Sequence, residues 1–254
     1  MSYLTTSRGR QIFYLQRGPT SGLPLLFVHG AAGHATLWGQ VLRMLPDANC
    51  IILDLPGHGR SEGPSCRTVP ANSAAVEELL DVLHLPPAVL IGHSLGGAIV
   101  LDLALRRPEL IRALVLISAS GYLPIEPALL QQVLADAGRA RQWMVEASYG
   151  PAAAPATIEL ALQRLAEVPD AVLLDDIQAG ASYDPRARLA EIRRPTLVLC
   201  GTEDHLTPLS AVRALAQRIP HARFEPVQGA GHLLPVEQPV AVASAIMDLL
   251  HSLR

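Results

Sequence analysis

The sequence predicts an α/β fold, a mostly parallel sheet with helices on both faces, and three observations carry that reading. Short apolar runs bounded by turn residues alternate with longer segments whose apolar residues recur at helical spacing. Half of the residues are hydrophobic and only 17% are charged, a balance that supports a substantial core rather than long disorder. The 254 residues suffice for one large α/β domain, or for one that carries a modest insertion.

In chain order, Gln11–Gln16 reads as an early antiparallel edge strand. Leu25–His29, Cys50–Leu53, Ala88–Ile91 and Leu114–Ser118 follow as further strands, with Thr196–Cys200 and Arg223–Val227 late in the chain. Val76, Leu79, Leu80 and Leu83 form one apolar helical stripe, and Ala243, Ile246, Met247 and Leu250 form another, each suited to cover a sheet face. Between Gly121 and Asp184 the rhythm breaks into Ala-rich helical patterns and repeated prolines without a strand. Strand logic resumes at Arg186–Arg194 and TLVLC. Such an interval is too long for an ordinary loop. Residues 121–184 are therefore expected to form a helical insertion, and residues 1–120 and 185–254 the core.

Composition removes several function classes. A net charge of −3 without a basic run argues against a nucleic-acid surface or a polybasic membrane patch. All 20 basic residues are Arg, so Schiff-base lysine chemistry is excluded. Cys50, Cys66 and Cys200 form no CxxC and have no metal-ligand spacing; a catalytic thiol is not expected, and neither is a metal site. The N-terminal residues lack a signal-peptide apolar stretch, and no apolar span of ~18 residues could cross a bilayer. A cytoplasmic protein is expected.

Gly-x-Ser-x-Gly marks a sharp strand-to-helix turn that exposes a serine. It occurs twice, at Gly92–Gly96 and at Gly59–Gly63. The first follows the strand AVLI and opens a helix, and its glycines permit a tight backbone and close helix–strand approach. The second lies in PGHGRSEGPS with no helix behind it and reads as a loop. Ser94 is thus the candidate nucleophile. At a helix start, unpaired N–H groups can hold negative charge on a substrate oxygen. The expected donors are the N–H of Leu95 and that of Ala31, in the turn after Leu25–His29.

A serine hydroxyl needs a base. His232, in a Gly-rich turn between RFEPV and the last helix, lies at the carboxyl edge of the sheet with Ser94, where open α/β sheets bind ligands. Asp204 occupies the matching place after TLVLC, with Glu203 as its adjacent rival, and Ser–Asp–His is the chain order this architecture uses. His93 is read as structural, and His29, His58 and Asp54 as residues that hold turns. His34 stands open between pocket wall and loop. Trp143, Met144, Tyr149 and Tyr183 are candidates for a substrate wall, with Trp143, Met144 and Tyr149 foremost, the alternative being the insertion's own small core.

His29-Gly30, the run Asp54-Leu55-Pro56-Gly57-His58-Gly59-Arg60-Ser61, Gly92–Gly97, Pro195–Asp204 with Pro208, and Gly231-His232 with Glu237 and Pro239 resemble the α/β-hydrolase superfamily. The similarity is to its small bacterial esterase and lactonase-like members, with a short helical cap between strands six and seven. It spans nearly the whole chain, although Gly121–Asp184 matches nothing specific. The resemblance implies an eight-stranded sheet, a Ser94–His232–Asp204 triad, and a pocket between core and cap. It further implies a serine hydrolase that cleaves a small carboxylic ester and needs no cofactor. Ser rather than Asp at the turn counts against the haloalkane dehalogenase and epoxide hydrolase branches. Lactone, thioester or carbon–carbon bond hydrolysis on the same triad remain alternatives, as does a ligand receptor on this scaffold.

Overall fold

The computed structural model describes residues 2–7, 9–149 and 154–253. Eight strands form one sheet: β1 (Ser2–Thr5), β2 (Gln11–Arg17), β3 (Pro24–Val28), β4 (Asn49–Leu53), β5 (Ala88–His93), β6 (Ile111–Ile117), β7 (Thr196–Gly201) and β8 (Arg223–Val227). Their order is β1-β2-β4-β3-β5-β6-β7-β8. The β1–β2 and β2–β4 pairs are antiparallel and the remaining neighbours are parallel. β2 is therefore not the edge, as its sequence suggests. The four-residue β1, with three exposed positions, covers it, and so short and polar a strand leaves no apolar signature.

The helices are α1 (Gly39–Arg43), α2 (Val69–Val82), α3 (Leu95–Arg106), α4 (Pro127–Ala135), α5 (Ala137–Ser148), α6 (Pro155–Ala166), α7 (Asp170–Ala181), α8 (Leu209–Arg218), α9 (Leu234–Glu237) and α10 (Pro239–Ser252). None of the described helices is long and apolar enough to cross a membrane.

Alternation along each strand sends side chains to two separate cores. Leu26 and Val28 of β3, with Leu90, Leu114 and Val198, face α2, α3 and α8. Leu25 and Phe27, with Val89, Val115 and Leu197, face α1 and α10. Both faces are buried, which is why these strands read as continuous apolar runs. Val76, Leu79 and Leu80 sit in the first core as their spacing predicts. On α10, Ala243 and Ile246 are buried but Met247 is exposed; Val242, Ala245 and Leu249 carry the buried stripe instead.

α4 to α7 lie between β6 and β7, within the interval where strand patterning fails. They share a small core of Val133, Ala140, Met144, Leu173 and Ile177, and α7 also rests on α3. Arg186–Arg194 holds no strand, only a 3-10 turn at Leu189–Glu191 that leads into β7.

Candidate active site

β5 ends at His93 and α3 begins at Leu95, leaving Ser94 alone in the turn at φ 52°, ψ −118°. A side chain in such a conformation costs on the order of 1–3 kcal/mol and persists only where its surroundings hold it. They do: Ser94 N–H donates to the Ile117 carbonyl at 2.9 Å, and the Ser94 carbonyl accepts from Gly97 N–H at 2.9 Å. Strand and helix approach too closely for side chains at Gly92 and Gly96. A Cβ on Gly92 would lie 2.3 Å from the Gly96 oxygen, and one on Gly96 would lie 2.3 Å from the Val28 oxygen. Ser61, in the second copy of the pattern, is bound on both sides. Its hydroxyl donates to the Asp54 carbonyl at 2.6 Å and accepts from Phe13 N–H at 2.9 Å.

His232, 138 positions further along, is brought to Ser94 by the loop after β8. The Ser94 hydroxyl donates to His232 Nε2 at 2.9 Å, and His232 Nδ1 donates to Asp204 Oδ2 at 2.9 Å. The main chain of His232 is gripped from two directions, its N–H donating to the Ser148 carbonyl and its carbonyl accepting from His93 Nε2. Of the adjacent acids, Asp204 turns inward to the imidazole, and the Glu203 carboxylate meets Thr202 instead.

Asp204 is buried yet fully solvated by protein donors. Leu206 N–H and Thr207 N–H donate to Oδ1 at 3.0 and 2.8 Å, and the Thr207 hydroxyl donates to Oδ2 at 2.7 Å. Burial alone would push its pKa up; the nearby His232 and the Thr207 donors outweigh it and hold the carboxyl below its usual range. Thr207 is a partner that the sequence reading did not single out.

The N–H groups of Leu95 and Ala31 have no acceptor among the described residues. Ala31 lies in a turn whose shape is set by Gly33 N–H and His29 Nδ1, both donating to the Gly30 carbonyl. Because His29 Nε2 accepts from Leu55 N–H, the ring is neutral, and burial followed by the neighbouring His58 keeps its pKa well below the ordinary value. The next residue, Ala32, takes a left-handed φ of 53° and sends its N–H to Asp176 Oδ2 at 2.7 Å.

Asp176, on α7, was also not anticipated. The signal lay in spacing, since Val172, Leu173, Asp176 and Ile177 form one buried face and an acid on that face calls for a partner. That partner is His58, whose Nε2 meets Asp176 Oδ2 at 2.8 Å while Nδ1 meets the Pro56 carbonyl at 3.0 Å. Both ring nitrogens face acceptors, so both carry hydrogen and His58 is an imidazolium. Burial opposes that charge, but Asp176 and the Pro56 carbonyl raise its pKa above the ordinary value overall. His58 does hold a turn, as expected, and it also ties the loop after β4 to α7. Burial pushes the thiols of Cys50 and Cys200 up to about 11 and about 12, so neither is a poised thiolate.

A cavity of about 50 Å³ adjoins the serine and is bordered by Ser94, Leu95, Ala31, Trp143, Met144 and Asp176 among others. Tyr183 packs against the first core instead, and Tyr149 and His34 do not join Trp143 and Met144 there either. Tyr149 closes α5 as its C-terminal cap, and His34 sits exposed with its Nδ1 paired to the Thr36 hydroxyl at 2.9 Å. Both border a second cavity of about 630 Å³, which Met144 and Ala31 also reach.

A parallel sheet with a serine on a strained turn at the carboxyl end of its central strand defines the class. The chain belongs to the alpha/beta hydrolase family, whose pattern matches residues 25–245. It is 30% identical to the polyketide synthase ThaQ of Burkholderia thailandensis, over 92% of this chain and only 12% of that much longer protein. It is 29% identical to the putative carbamate hydrolase RutD of Pseudomonas savastanoi pv. phaseolicola, over 90% of this chain and 94% of the relative. Among solved structures, a thermophilic esterase from Thermogutta terrifontis superposes with a TM-score of 0.87 at 27% identity, covering 99% of this chain and 98% of that one.

Proposed function

We propose that this chain is a serine hydrolase of carboxylic esters, acting through an acyl-enzyme. The observation that carries the reading is the continuous hydrogen-bonded chain Ser94–His232–Asp204 on a strained strand-to-helix turn. The neutral imidazole takes the serine proton as Oγ attacks the carbonyl carbon, and Asp204 stabilises the resulting imidazolium. The oxyanion is bound by the N–H groups of Leu95 and Ala31, each worth roughly 3 kcal/mol in the transition state. The imidazolium then protonates the leaving alcohol. Water, deprotonated in turn by His232, releases the acid and restores Ser94. Residues 121–184 act as a cap, with Trp143 and Met144 against the substrate. The resemblance to an esterase at 27% identity supports the ester as the bond cleaved.

The test is active-site labelling with a fluorophosphonate, together with hydrolysis of short 4-nitrophenyl esters. Wild type is expected to label at Ser94 alone, and Ser94→Ala to lose both labelling and about 10⁴-fold or more in kcat. Labelling at another serine, or undiminished turnover by Ser94→Ala, overturns the assignment.

A further inference from the structure

Among the side chains that border the Ser94 cavity, Asp176 holds a buried polar atom without a partner. Its Oδ1 is enclosed and accepts no hydrogen bond among the described residues. Of the other polar side chains there, the Ser94 hydroxyl is committed to His232, the Thr207 hydroxyl to Asp204, and the Ser120 hydroxyl to the Tyr122 carbonyl. Asp176 Oδ2 receives both Ala32 N–H and His58 Nε2–H, and the His58 imidazolium balances the carboxylate's charge. Charge is thus satisfied while one oxygen stays bare. Buried acceptors are almost always paired, and buried ion pairs seldom offset their own desolvation in stability. A pair set beside the nucleophile with one oxygen spare therefore points to recognition rather than folding.

We infer that Asp176 is a specificity-determining residue, and that the substrate is a small ester whose acyl group carries a hydrogen-bond donor, a hydroxyl or an N–H, accepted by Asp176 Oδ1. This rests on the ester-hydrolase reading and deepens it. Asp176 is joined through Ala32 to the turn that presents the Ala31 N–H, so it stands beside the seat of the acyl carbonyl. The neighbouring side chains of Leu95, Met144 and Ile177 offer the rest of the acyl group no competing polar contact. A cavity of about 50 Å³ suits a short chain. A site built to pair with a substrate donor rejects the analogue that lacks it, because its own polar atom is then left unpaired.

The experiment compares 4-nitrophenyl esters of hydroxyacetate and 3-hydroxypropanoate with their fluoro counterparts, which match them in size and lack the donor. Each kcat/KM is divided by the rate constant for hydroxide-catalysed hydrolysis of the same ester, which removes intrinsic reactivity. Wild type is expected to favour the hydroxy ester by at least about 10-fold. Asp176→Asn keeps an oxygen for Ala32 and His58 and presents an amide N–H in place of Oδ1. It is expected to bring the preference to unity or reverse it. A wild-type ratio near one, or an Asp176→Asn ratio equal to that of wild type, overturns the inference; the wild-type ratio alone decides if the variant does not fold. A wild-type protein that cleaves none of the four esters and does not label at Ser94 overturns the ester-hydrolase reading itself.

Discussion

His93 donates from Nε2 to the main-chain oxygen of His232 at 2.8 Å, tying the strand end that leads into Ser94 to the loop that carries the imidazole. The two rings lie 5.0 Å apart, centroid to centroid. Burial first, and then this neighbour, push the pKa of His93 down to about 3. The ring therefore stays neutral with its hydrogen on Nε2.

That neutrality has a cost in acid. An unfolded histidine takes up its proton near pH 6.5, roughly, whereas the native ring resists it until far lower pH. Between about pH 6.5 and 3 the unfolded chain thus binds the extra proton, and native stability declines by up to about 1.4 kcal/mol per pH unit from this residue. His93→Gln keeps an N–H for the His232 carbonyl and cannot titrate. Urea unfolding at several pH values should show a shallower acid decline in the variant. An unchanged slope would mean that the native ring takes up the proton.

The inward acid should be separable from its neighbour by kinetics. Asp204→Asn is expected to lower kcat by about 10⁴, through loss of tautomer control and of imidazolium stabilisation. Glu203→Gln should leave kcat near wild type, because that carboxylate does not meet His232. Thr207→Val removes the hydroxyl that donates to Asp204 Oδ2 and should cost roughly 10-fold or more, in line with a charge-assisted hydrogen bond, and Thr207→Ser should recover most of it. Equal damage from Asp204→Asn and Glu203→Gln would contradict the geometry.

Backbone strain at Ser94 should appear as a difference between two inactive variants. Ser94→Ala keeps a Cβ at φ 52°, while Ser94→Gly removes it. Relief of strain should outweigh the added freedom of glycine in the unfolded chain and leave Ser94→Gly more stable by about 1 kcal/mol. Thermal denaturation of the pair checks this, and a less stable Ser94→Gly would show that the turn is unstrained.

Substrate ranking should respond to the wall of one cavity and not of the other. Trp143→Ala and Met144→Ala are expected to shift relative kcat/KM among short acyl esters by roughly 1–3 kcal/mol per lost contact. Tyr149→Phe and His34→Ala, outside the Ser94 cavity, should preserve the ranking. If Trp143→Ala and Met144→Ala also preserve it, those residues serve the small core shared by α4 to α7, to which both in fact contribute.

By itself the sequence determined the sheet, the turn and the slots. Seven of the eight strands are written in local patterns; β3 to β7 read as continuous apolar runs because they are buried on both faces, and a strand-to-helix turn this tight needs glycine at 92 and 96. Ser94, Asp204 and His232 were legible because each follows a strand at the same edge of the sheet. Tertiary structure alone decided which side chains meet across long separations. It chose Asp204 over Glu203 by the direction the turn after β7 takes, and it left Tyr149 and His34 outside the Ser94 cavity that Trp143 and Met144 border. It also set Asp176 against His58 across 118 positions. Helices α4 to α7 carry apolar stripes that say each must pack but not against what, and the orientation in which they dock is fixed by the sum of many weak contacts. That docking places a half-satisfied carboxylate beside Ser94, which no local pattern specifies.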